Sequence, residues 1–572
     1  MDPRLVVIGL GALVVVVIAS VFSRRTGVAT PLLLLVFGVA ASYIPGVPVV
    51  RLEPEWILSG VLPPLLYADA VRLPLTDLRR NIRMITWLSV VLVIVTALAI
   101  GVTIHLIFPD IPIALAIALG AVVSPTDAIA ATAIGHRMGL PGRTTTILEG
   151  ESLLNDASAL VILKAAIAAL AGGFSLMSAG AAFVWAIIGA SIVGAAIGWA
   201  AVAVRTRLHD PILISCISFA VPFVAYFPAE EIGSSGVLAV VVAGLVAGAR
   251  GRHRLPARAR QVDSTNWTTI EFLLQSAVFL LMGMQLPNLI QQVGTDGADL
   301  LLVVGISGVT LAIMLVVRVV GLLARYMWAP SPKRAESIRE RLVDLDARLD
   351  EYEPDRPLER HRLERLRKRI ARGHADIEFE RAQPITGRDL VVLSWSGMRG
   401  VVTLAAAMTI PHDAPHYAVI VLVAFTVAAF TLLVFGGTLP WLIDRLAFEE
   451  IPVSVRRREV GNLLETILDT AVDNVGHLED QTIDGERIDP VVIERVRFYL
   501  DQIAAARDTH QRSSQAPDVR EQAIRIQRRY LSALRDALYE EQSIGSYNSR
   551  TYDRVTVILD REEGRLDSVG RI

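Results

Sequence analysis

The sequence predicts an all-α, polytopic membrane protein with about thirteen transmembrane helices and a cytoplasmic helical tail. Hydrophobic residues make up 53% of the 572 residues, and the mean hydropathy is +0.50. Soluble globular domains are less apolar, and here the apolar residues occur in blocks long enough to cross a bilayer. Arginine is concentrated in every second loop between the blocks, as is typical of a polytopic membrane protein.

The apolar blocks give the transmembrane segments in chain order. We place them at residues 4–22, 28–44, 54–70, 84–108, 111–134, 147–171, 178–204, 211–227, 233–249, 266–286, 299–328, 388–409 and 416–439. The first segment is not interpreted as a cleaved signal peptide. No clear small-residue cleavage site follows it, and Arg24-Arg25 is typical of a stop-transfer flank.

The basic loops orient these segments in the membrane. The intervening loops hold almost no Lys or Arg beyond Arg51. The positive-inside rule therefore places the N-terminus outside and the C-terminus in the cytoplasm. We expect the protein to lie in the plasma (inner) membrane. The arginines follow the first, third, fifth, seventh and ninth segments, at residues 24–25, 72–83, 137–143, 205–207 and 250–260.

Two polar regions lie outside the apolar blocks. Residues 1–445 are predicted to form the transmembrane domain, interrupted by a charged helical insert at 331–384, and residues 446–572 form a cytoplasmic helical domain. Within the tail, Asp489-Pro490 predicts a helix start, with an N-cap followed by proline at the first position. We expect solvated helices here, with regulation or dimer contact as the alternative, and no motif assigns the tail a partner.

Charge and cysteine content exclude several classes of protein. The net charge of −2 does not indicate a nucleic-acid partner. The long apolar blocks make membrane lipid the expected surrounding. The single cysteine, Cys216, excludes an internal disulfide framework and a cysteine-built metal site. No histidine lies beside a nucleophile as a membrane enzyme would require, so we expect neither enzymatic activity nor a cofactor.

Two transmembrane segments carry matched interruptions. In residues 124–127 of the fifth segment, Pro125 removes a backbone donor while Thr126 and Asp127 compete for backbone groups, which predicts an unwound helix. A proline kink capped by Asp127 is the simpler alternative. Residues 394–400 of the twelfth segment combine two glycines with Arg399, which does not suit a lipid-facing helix. Since the two segments are seven apart, they run in opposite directions, as in the inverted halves of a secondary transporter.

The sixth segment begins with a polar motif on two helical faces. Ser152 and Asp156 are four residues apart and share one face, and Glu151 and Asn155 share the next. A carboxylate and a hydroxyl on one face suit a hard cation that binds oxygen. An ionisable group within a membrane segment indicates a functional site.

Three further charges lie in or near the membrane segments. A buried, ionised Glu151 needs a cationic partner, and Arg318 in the eleventh segment is the candidate, although it could snorkel to the cytoplasmic end instead. Lys164 lies two turns beyond Asp156, and we expect it to snorkel outward.

These motifs resemble the sodium/proton exchanger branch of the monovalent cation:proton antiporters. The resemblance covers the membrane region, about residues 1–445 without residues 331–381. It implies a homodimer with a dimerisation part and a core part, in which the fifth and twelfth segments cross as broken helices. The motifs are Leu62-Pro63-Pro64-Leu65-Leu66, Ser124-Pro125-Thr126-Asp127, Gly150-Glu151-Ser152-Leu153-Leu154-Asn155-Asp156 and Gly397-Met398-Arg399-Gly400.

The resemblance also implies a role for each polar residue. Asp156 is the carboxylate that binds either a monovalent cation or a proton, and Ser152 and the Thr126 backbone carbonyl are further cation ligands. Asn155 supports the site. The implied charge-compensating and structural residues are Asp127 and Arg399, at the half-helix dipoles, and the ion pair of Glu151 with Arg318.

One position departs from the family pattern. Many members have an acidic residue directly after the Leu-Pro-Pro-Leu-Leu run, where this chain has Ala68. Asp69 follows one residue later, about 100° further around a helix. Whether Asp69 is a cation ligand stays open at this point, and with it the choice between cations.

The expected function is therefore exchange of a monovalent cation, Na⁺ in the first place, for H⁺ by alternating access. Because Asn155 is neutral beside Asp156, we expect one-for-one, electroneutral exchange. Potassium/proton exchange at the same site is the nearest alternative. A cation channel and a transporter-like ion or pH sensor that signals through the tail are alternatives of a different class.

Overall fold

The computed structural model describes most of the chain. It is helical apart from a two-stranded antiparallel ribbon, β1 Thr482–Ile483 and β2 Glu486–Arg487. The structure separates into a membrane unit and a second unit. The membrane unit comprises residues 1–254, 261–329 and 385–448, and the second comprises 255–260, 330–384 and 449–572. The described residues are 3–26, 29–44, 55–170, 176–295, 300–328, 332–350, 357–411, 413–448, 453–476, 481–483, 486–504 and 517–569.

The membrane unit contains all the apolar helices. Its first half comprises α1 Pro3–Thr26, α2 Thr30–Ser42, α3 Leu62–Arg72, α4 Leu75–Thr86, α5 Leu92–Ile107, α6 Ile113–Val123, α7 Ile129–Arg137 and α8 Gly142–Leu170. Short π-helical turns, Trp56–Val61 and Trp87–Val91, precede α3 and join α4 to α5. The unit continues with α9 Leu176–Arg205, α10 Pro211–Glu231, α11 Gly236–Arg254, α12 Ala257–Thr295, α13 Leu300–Met327, α16 Gly387–Trp395, α17 Val401–Ala407, α18 Tyr417–Thr431 and α19 Gly437–Leu446. The first residues of α12, up to Arg260, belong to the second unit.

Each predicted transmembrane segment coincides with helix in the described residues. Eight helical stretches there are long and apolar enough to cross a membrane, and three shorter apolar helices accompany them. The number of crossings stays a prediction. Several helices begin earlier than predicted: the fourth segment starts at Leu75 rather than residue 84. Its first turns carry arginines on one side and buried Leu78 and Asn81 on the other, so the apolar run alone underestimates its length.

Glycines allow close approach between neighbouring helices of the membrane unit. A Cβ on Gly120 of α6 would collide with the backbone carbonyl of Ala97 on α5. A Cβ on Gly248 of α11 would likewise collide with the carbonyl of Val71 on α3. Small residues bring helix backbones into van der Waals contact, which drives helix association where no hydrophobic effect acts between them.

The second unit contains the insert and the tail helices. The insert is a helical hairpin of α14 Pro332–Asp350 and α15 Pro357–Ala382. The tail consists of α20 Val453–Val475, α21 Pro490–Ala504, α22 Pro517–Ile544 and α23 Ser549–Val569. Helices α20, α22 and α23 share a buried core that includes Ile467, Leu534 and Leu559. At the start of α21, the Val491 N–H donates to Asp489 Oδ1 over 2.8 Å, so Asp489 caps this helix as predicted.

Candidate ion-binding site

The two interrupted segments are broken helices whose breaks meet. Residues 124–128 separate α6 from α7, and residues 396–400 separate α16 from α17. The Asp127 N–H donates to the Met398 carbonyl over 2.7 Å, which joins one break directly to the other. A capping box of Thr386 and Asp389 starts α16. The backbone therefore leaves the helical conformation where it contacts protein, as spanning chains require.

Arg399 lies at the carboxyl end of α6. It is 2% exposed, its Nε donates to the Val123 carbonyl over 2.7 Å, and its Nη2 is 3.4 Å from the Ser124 carbonyl. A further donor of the guanidinium contacts the carbonyl of Gly397 in its own break. The last carbonyls of a helix carry partial negative charge, so the guanidinium compensates the end of the half-helix α6.

Asp127 lies at the N-terminal end of the half-helix α17. Gly400 is the N-cap of α17, and a Cβ placed on Gly400 would overlap the carboxylate of Asp127. A carboxylate is stabilised near a helix N-terminus, where N–H groups carry partial positive charge. Asp127 and Arg399 thus occupy complementary positions, one at the start of α17 and the other at the end of α6.

Glu151 forms a buried ion pair with Arg318. Arg318 Nη1 lies 2.5 Å from Glu151 Oε1 and Nη2 lies 3.0 Å from Oε2, while Arg318 Nε donates to the Leu393 carbonyl over 2.9 Å. Arg318 is 5% exposed and therefore does not snorkel. The bidentate geometry satisfies both carboxylate oxygens, as a buried pair needs.

The Glu151 face of α8 also fixes the first break. Thr126 Oγ1 donates to Glu151 Oε1 over 3.0 Å. Asn155 Nδ2 donates to Thr126 Oγ1 over 3.0 Å and lies 3.4 Å from the Thr126 carbonyl. In the described part of the chain, the buried Asn155 Oδ1 accepts no hydrogen bond. These hydrogen bonds hold Thr126 in place, and Asn155 Oδ1 remains available beside it as an acceptor.

The other face of α8 lines a cavity. Asp156, which is 5% exposed, and Ser152 face this cavity. Ser152 Oγ also accepts from the Ala128 N–H over 3.3 Å. Thr126 and Asp127 reach the same cavity from the break. Carboxylate, hydroxyl and carbonyl oxygens together are the ligand set of a hard cation.

Asp69 also lines this cavity. Its Oδ1 lies 3.5 Å from Nη2 of Arg72, one turn later on α3. The shift of one residue from the family position therefore does not remove the carboxylate from the cavity wall. Its role as a cation ligand stays a prediction.

Lys164 does not simply snorkel into water. Its Nζ lies 2.6 Å from Oε2 and 2.8 Å from Oε1 of Glu230 on α10. The Lys164 side chain is half-exposed, and its outward position stays a prediction. The sequence analysis did not identify Glu230 as its partner. The sequence could not show this contact because the two residues are 66 positions apart.

Two polar residues that line the cavity were missed by the sequence analysis. Thr403, which is 1% exposed, lies on α17 just after the second break. Its position four residues after Arg399 could have identified it as a cavity residue. Gln275 on α12 lines the cavity as well, and nothing in the surrounding sequence marks it. In the described residues, no group of three His, Cys, Asp or Glu side chains forms a transition-metal site.

The family described as "Sodium/hydrogen exchanger, transmembrane" matches residues 11–445. The chain belongs to this family. The match spans both broken helices and the α8 motif, and it ends where the tail begins. The resemblance found in the sequence motifs is thereby confirmed over residues 11–445.

Individual proteins similar to this exchanger agree with that assignment. It is 29% identical over 490 residues to an uncharacterized Na⁺/H⁺ exchanger of Mycobacterium bovis, covering 82% of this chain and 81% of the relative. It is 30% identical over 488 residues to the sodium, potassium, lithium and rubidium/H⁺ antiporter of Bacillus subtilis, covering 82% and 66%. The solved structure of the sodium proton antiporter MjNhaP1 from Methanocaldococcus jannaschii matches with a TM-score of 0.55 at 15% identity, covering 78% of this chain and 100% of that one. The exchanger thus has the fold of that multi-pass membrane transporter.

Proposed function

We propose that this exchanger carries a monovalent cation, Na⁺ in the first place, against H⁺, with both competing at Asp156. The observation that carries the proposal is a buried carboxylate in a cavity where two broken helices meet, beside the hydroxyl of Ser152. Binding of a proton to the Asp156 carboxylate lowers its affinity for a cation, and binding of a cation lowers its affinity for a proton, so each displaces the other. Alternating exposure of this site then couples the two fluxes.

Charge pairing within the cavity supports one-for-one exchange. Asp69 shares Arg72 as a neighbour with Glu271, and Asp127 lies at the N-cap of α17. Asp156 makes no ion pair among the described residues. Its neighbour on the helix, Asn155, is neutral. A cation or a proton on Asp156 therefore gives the same net charge, which makes the exchange electroneutral.

The proposal includes the membrane context. We place the protein in the plasma (inner) membrane, with the N-terminus outside and the tail in the cytoplasm, on the arginine distribution. We propose a homodimer in which the core with α6, α7, α8, α16 and α17 moves against the remaining helices. Membrane lipid is the surrounding partner, and we propose that no cofactor and no enzymatic step take part.

The test is proton flux in proteoliposomes containing the purified exchanger, with each alkali cation supplied in turn. We expect cation-dependent proton flux that is unaffected by an imposed membrane potential. Asp156→Asn should abolish this flux in folded protein, since the amide binds neither a proton nor a cation as strongly. Asp110→Asn, the same change at an exposed residue outside the cavity, is the matched control. Normal flux in the Asp156 variant would reject the site.

Potassium/proton exchange at the same site is the second candidate. The Bacillus subtilis relative is named as an antiporter of sodium, potassium, lithium and rubidium, which favours testing all four cations. A channel would conduct without a counter-gradient, whereas an exchanger saturates and needs one. Removal of residues 449–572 addresses the sensor alternative, because a sensor would need its tail while an exchanger keeps cation-dependent flux.

A further inference from the structure

The long helix α12 contributes Gln275 to the cavity that holds Asp156. The proposed cation ligands come from α8 and from the first break, and none comes from α12. Gln275 is partly buried, so it is placed to meet a cation without being lost to bulk water. An amide carbonyl is a neutral oxygen ligand that adds coordination but no charge.

The contact with Glu271 fixes which end of the Gln275 amide is available. Glu271 lies one turn earlier on α12, and Gln275 Nε2 donates to its Oε1 over 3.2 Å. An ionised carboxylate only accepts hydrogen bonds, so the NH₂ end of the amide must face it. The carbonyl oxygen, Oε1, is then the end that remains for the cavity.

Glu271 is itself held in position. Its side chain is 11% exposed, and its Oε2 accepts from the Arg72 guanidinium. Arg72 Nε donates to the Ala68 carbonyl over 2.9 Å, and the Arg72 carbonyl accepts from Arg252 over 2.7 Å. Arg72, which contacts both α3 and α11, holds the Glu271 carboxylate in place. Glu271 is therefore a rigid acceptor for Gln275. Rigid second partners orient a ligand towards its ion.

We propose that Gln275 is a cation-coordinating residue whose carbonyl, oriented by Glu271 and Arg72, sets the affinity for alkali cations and the preference among them. The inference rests on the proposed exchange at Asp156. Selectivity among alkali cations depends on the number and placement of oxygen ligands. A neutral oxygen contributed by α12 changes both without changing the one-for-one stoichiometry. Glu271 and Arg72 act as positioning residues.

The experiment measures cation titrations of proton flux in proteoliposomes for Gln275→Leu. Leucine is close to glutamine in volume but offers no oxygen. We expect the KM for Na⁺ to rise roughly tenfold, a loss of about 1.4 kcal/mol in binding, with kcat within about twofold. The ratio of KM values for Na⁺, K⁺ and Li⁺ should also change. A purely structural role would lower kcat or protein yield and leave this ratio as it is.

Two companion variants complete the test. Glu271→Gln removes the obligate acceptor and lets the amide turn, so it should alter the cation preference in the same direction as Gln275→Leu. Gln291→Leu makes the same substitution at an exposed position of α12 and should leave KM and preference unchanged. Size-exclusion chromatography establishes folding. If Gln275→Leu does not elute as folded protein, Gln275→Asn, which withdraws the carbonyl by one methylene, replaces it with the same expectation.

The outcomes separate this inference from the proposed function. Folded Gln275 variants with wild-type KM and cation preference overturn the role of Gln275, while Asp156→Asn still tests the exchange. If the wild-type protein shows no cation-dependent proton flux, the proposed function itself is wrong. A changed preference in Gln275→Leu together with an unchanged one in Glu271→Gln would reject the positioning by Glu271.

Discussion

At the scale of residues, two faces of α8 carry different tasks on neighbouring positions. Glu151 and Asn155 bind the first helix break and Arg318, while Ser152 and Asp156 face the cavity. The helical repeat of 3.6 residues separates the two pairs by about 100°. A structural ion pair and an exchangeable carboxylate can therefore be adjacent in the sequence without sharing a proton or a ligand.

Loss of one partner of the Glu151–Arg318 pair should destabilise the exchanger strongly. Arg318→Met leaves a buried carboxylate without its cation, which costs about 3–5 kcal/mol. Adding Glu151→Gln should recover most of this loss, since no unpaired charge remains. Thermal unfolding of the detergent-solubilised proteins gives the comparison. A double variant no more stable than Arg318→Met alone would contradict the pairing.

At the scale of elements, the two breaks depend on each other. Arg399 contacts the end of α6, and Asp127 lies against the start of α17, so each break compensates the dipole of the helix in the other segment. The backbone hydrogen bond from Asp127 to Met398 fixes their crossing. Neither half-helix end would be satisfied if one segment were continuous.

The close contact at Gly400 predicts a sharp effect of one methyl group. Gly400→Ala forces the Asp127 carboxylate away from the N-cap of α17. We expect cation-dependent proton flux to fall by at least about tenfold, or about 1.4 kcal/mol, in folded protein. Gly437→Ala on α19, where a Cβ meets no atom within 4 Å, is the control. Equal flux in both variants would argue against a role for the crossing.

Lys164 and Glu230 form a partly exposed ion pair between α8 and α10. Such a pair contributes about 0–1 kcal/mol, so Lys164→Gln should change stability very little. Glu230 Oε1 also accepts from the N–H of Gly236, the first residue of α11, over 2.9 Å. Glu230→Gln should therefore lower stability by about 1 kcal/mol more, because a charged acceptor at a helix start is lost. Thermal unfolding of the two single variants compares their stabilities. A larger loss of stability in Lys164→Gln than in Glu230→Gln would contradict the greater importance of Glu230.

At the scale of the whole molecule, the insert and the tail fold as parts of one unit. Lys368 of the insert lies 2.8 Å from Glu540 of α22, and the short stretch 255–260 belongs to the same unit. Its Arg260 pairs with Asp560 of α23, which also accepts from Arg535 over 2.7 Å. Segments far apart in the sequence thus build this unit together.

The shared carboxylate of Asp560 makes it the critical member of that cluster. Asp560→Asn replaces the carboxylate that Arg260 and Arg535 share with a neutral amide, while Arg535 keeps its ion pair with Glu563. The expected cost is about 2 kcal/mol. Asp536→Asn, an exposed position on α22, is the control and should have no measurable effect. Limited proteolysis of the full chain should show faster cleavage in residues 449–572 only for the Asp560 variant. Equal cleavage rates in the Asp560 and Asp536 variants would show that Asp560 does not stabilise this unit.

The sequence by itself determined the helical membrane fold, the two breaks and the polar motif of α8. Each of these depends on nearby residues, through apolar runs, a proline that removes a donor, or side chains four positions apart. Only the tertiary structure decided that Arg399 contacts α6, that Lys164 pairs with Glu230, and that Gln275 reaches the cavity. Those contacts join residues on different helices, which are brought together by helix packing. Contacts of this kind leave no periodic pattern in the sequence around either residue.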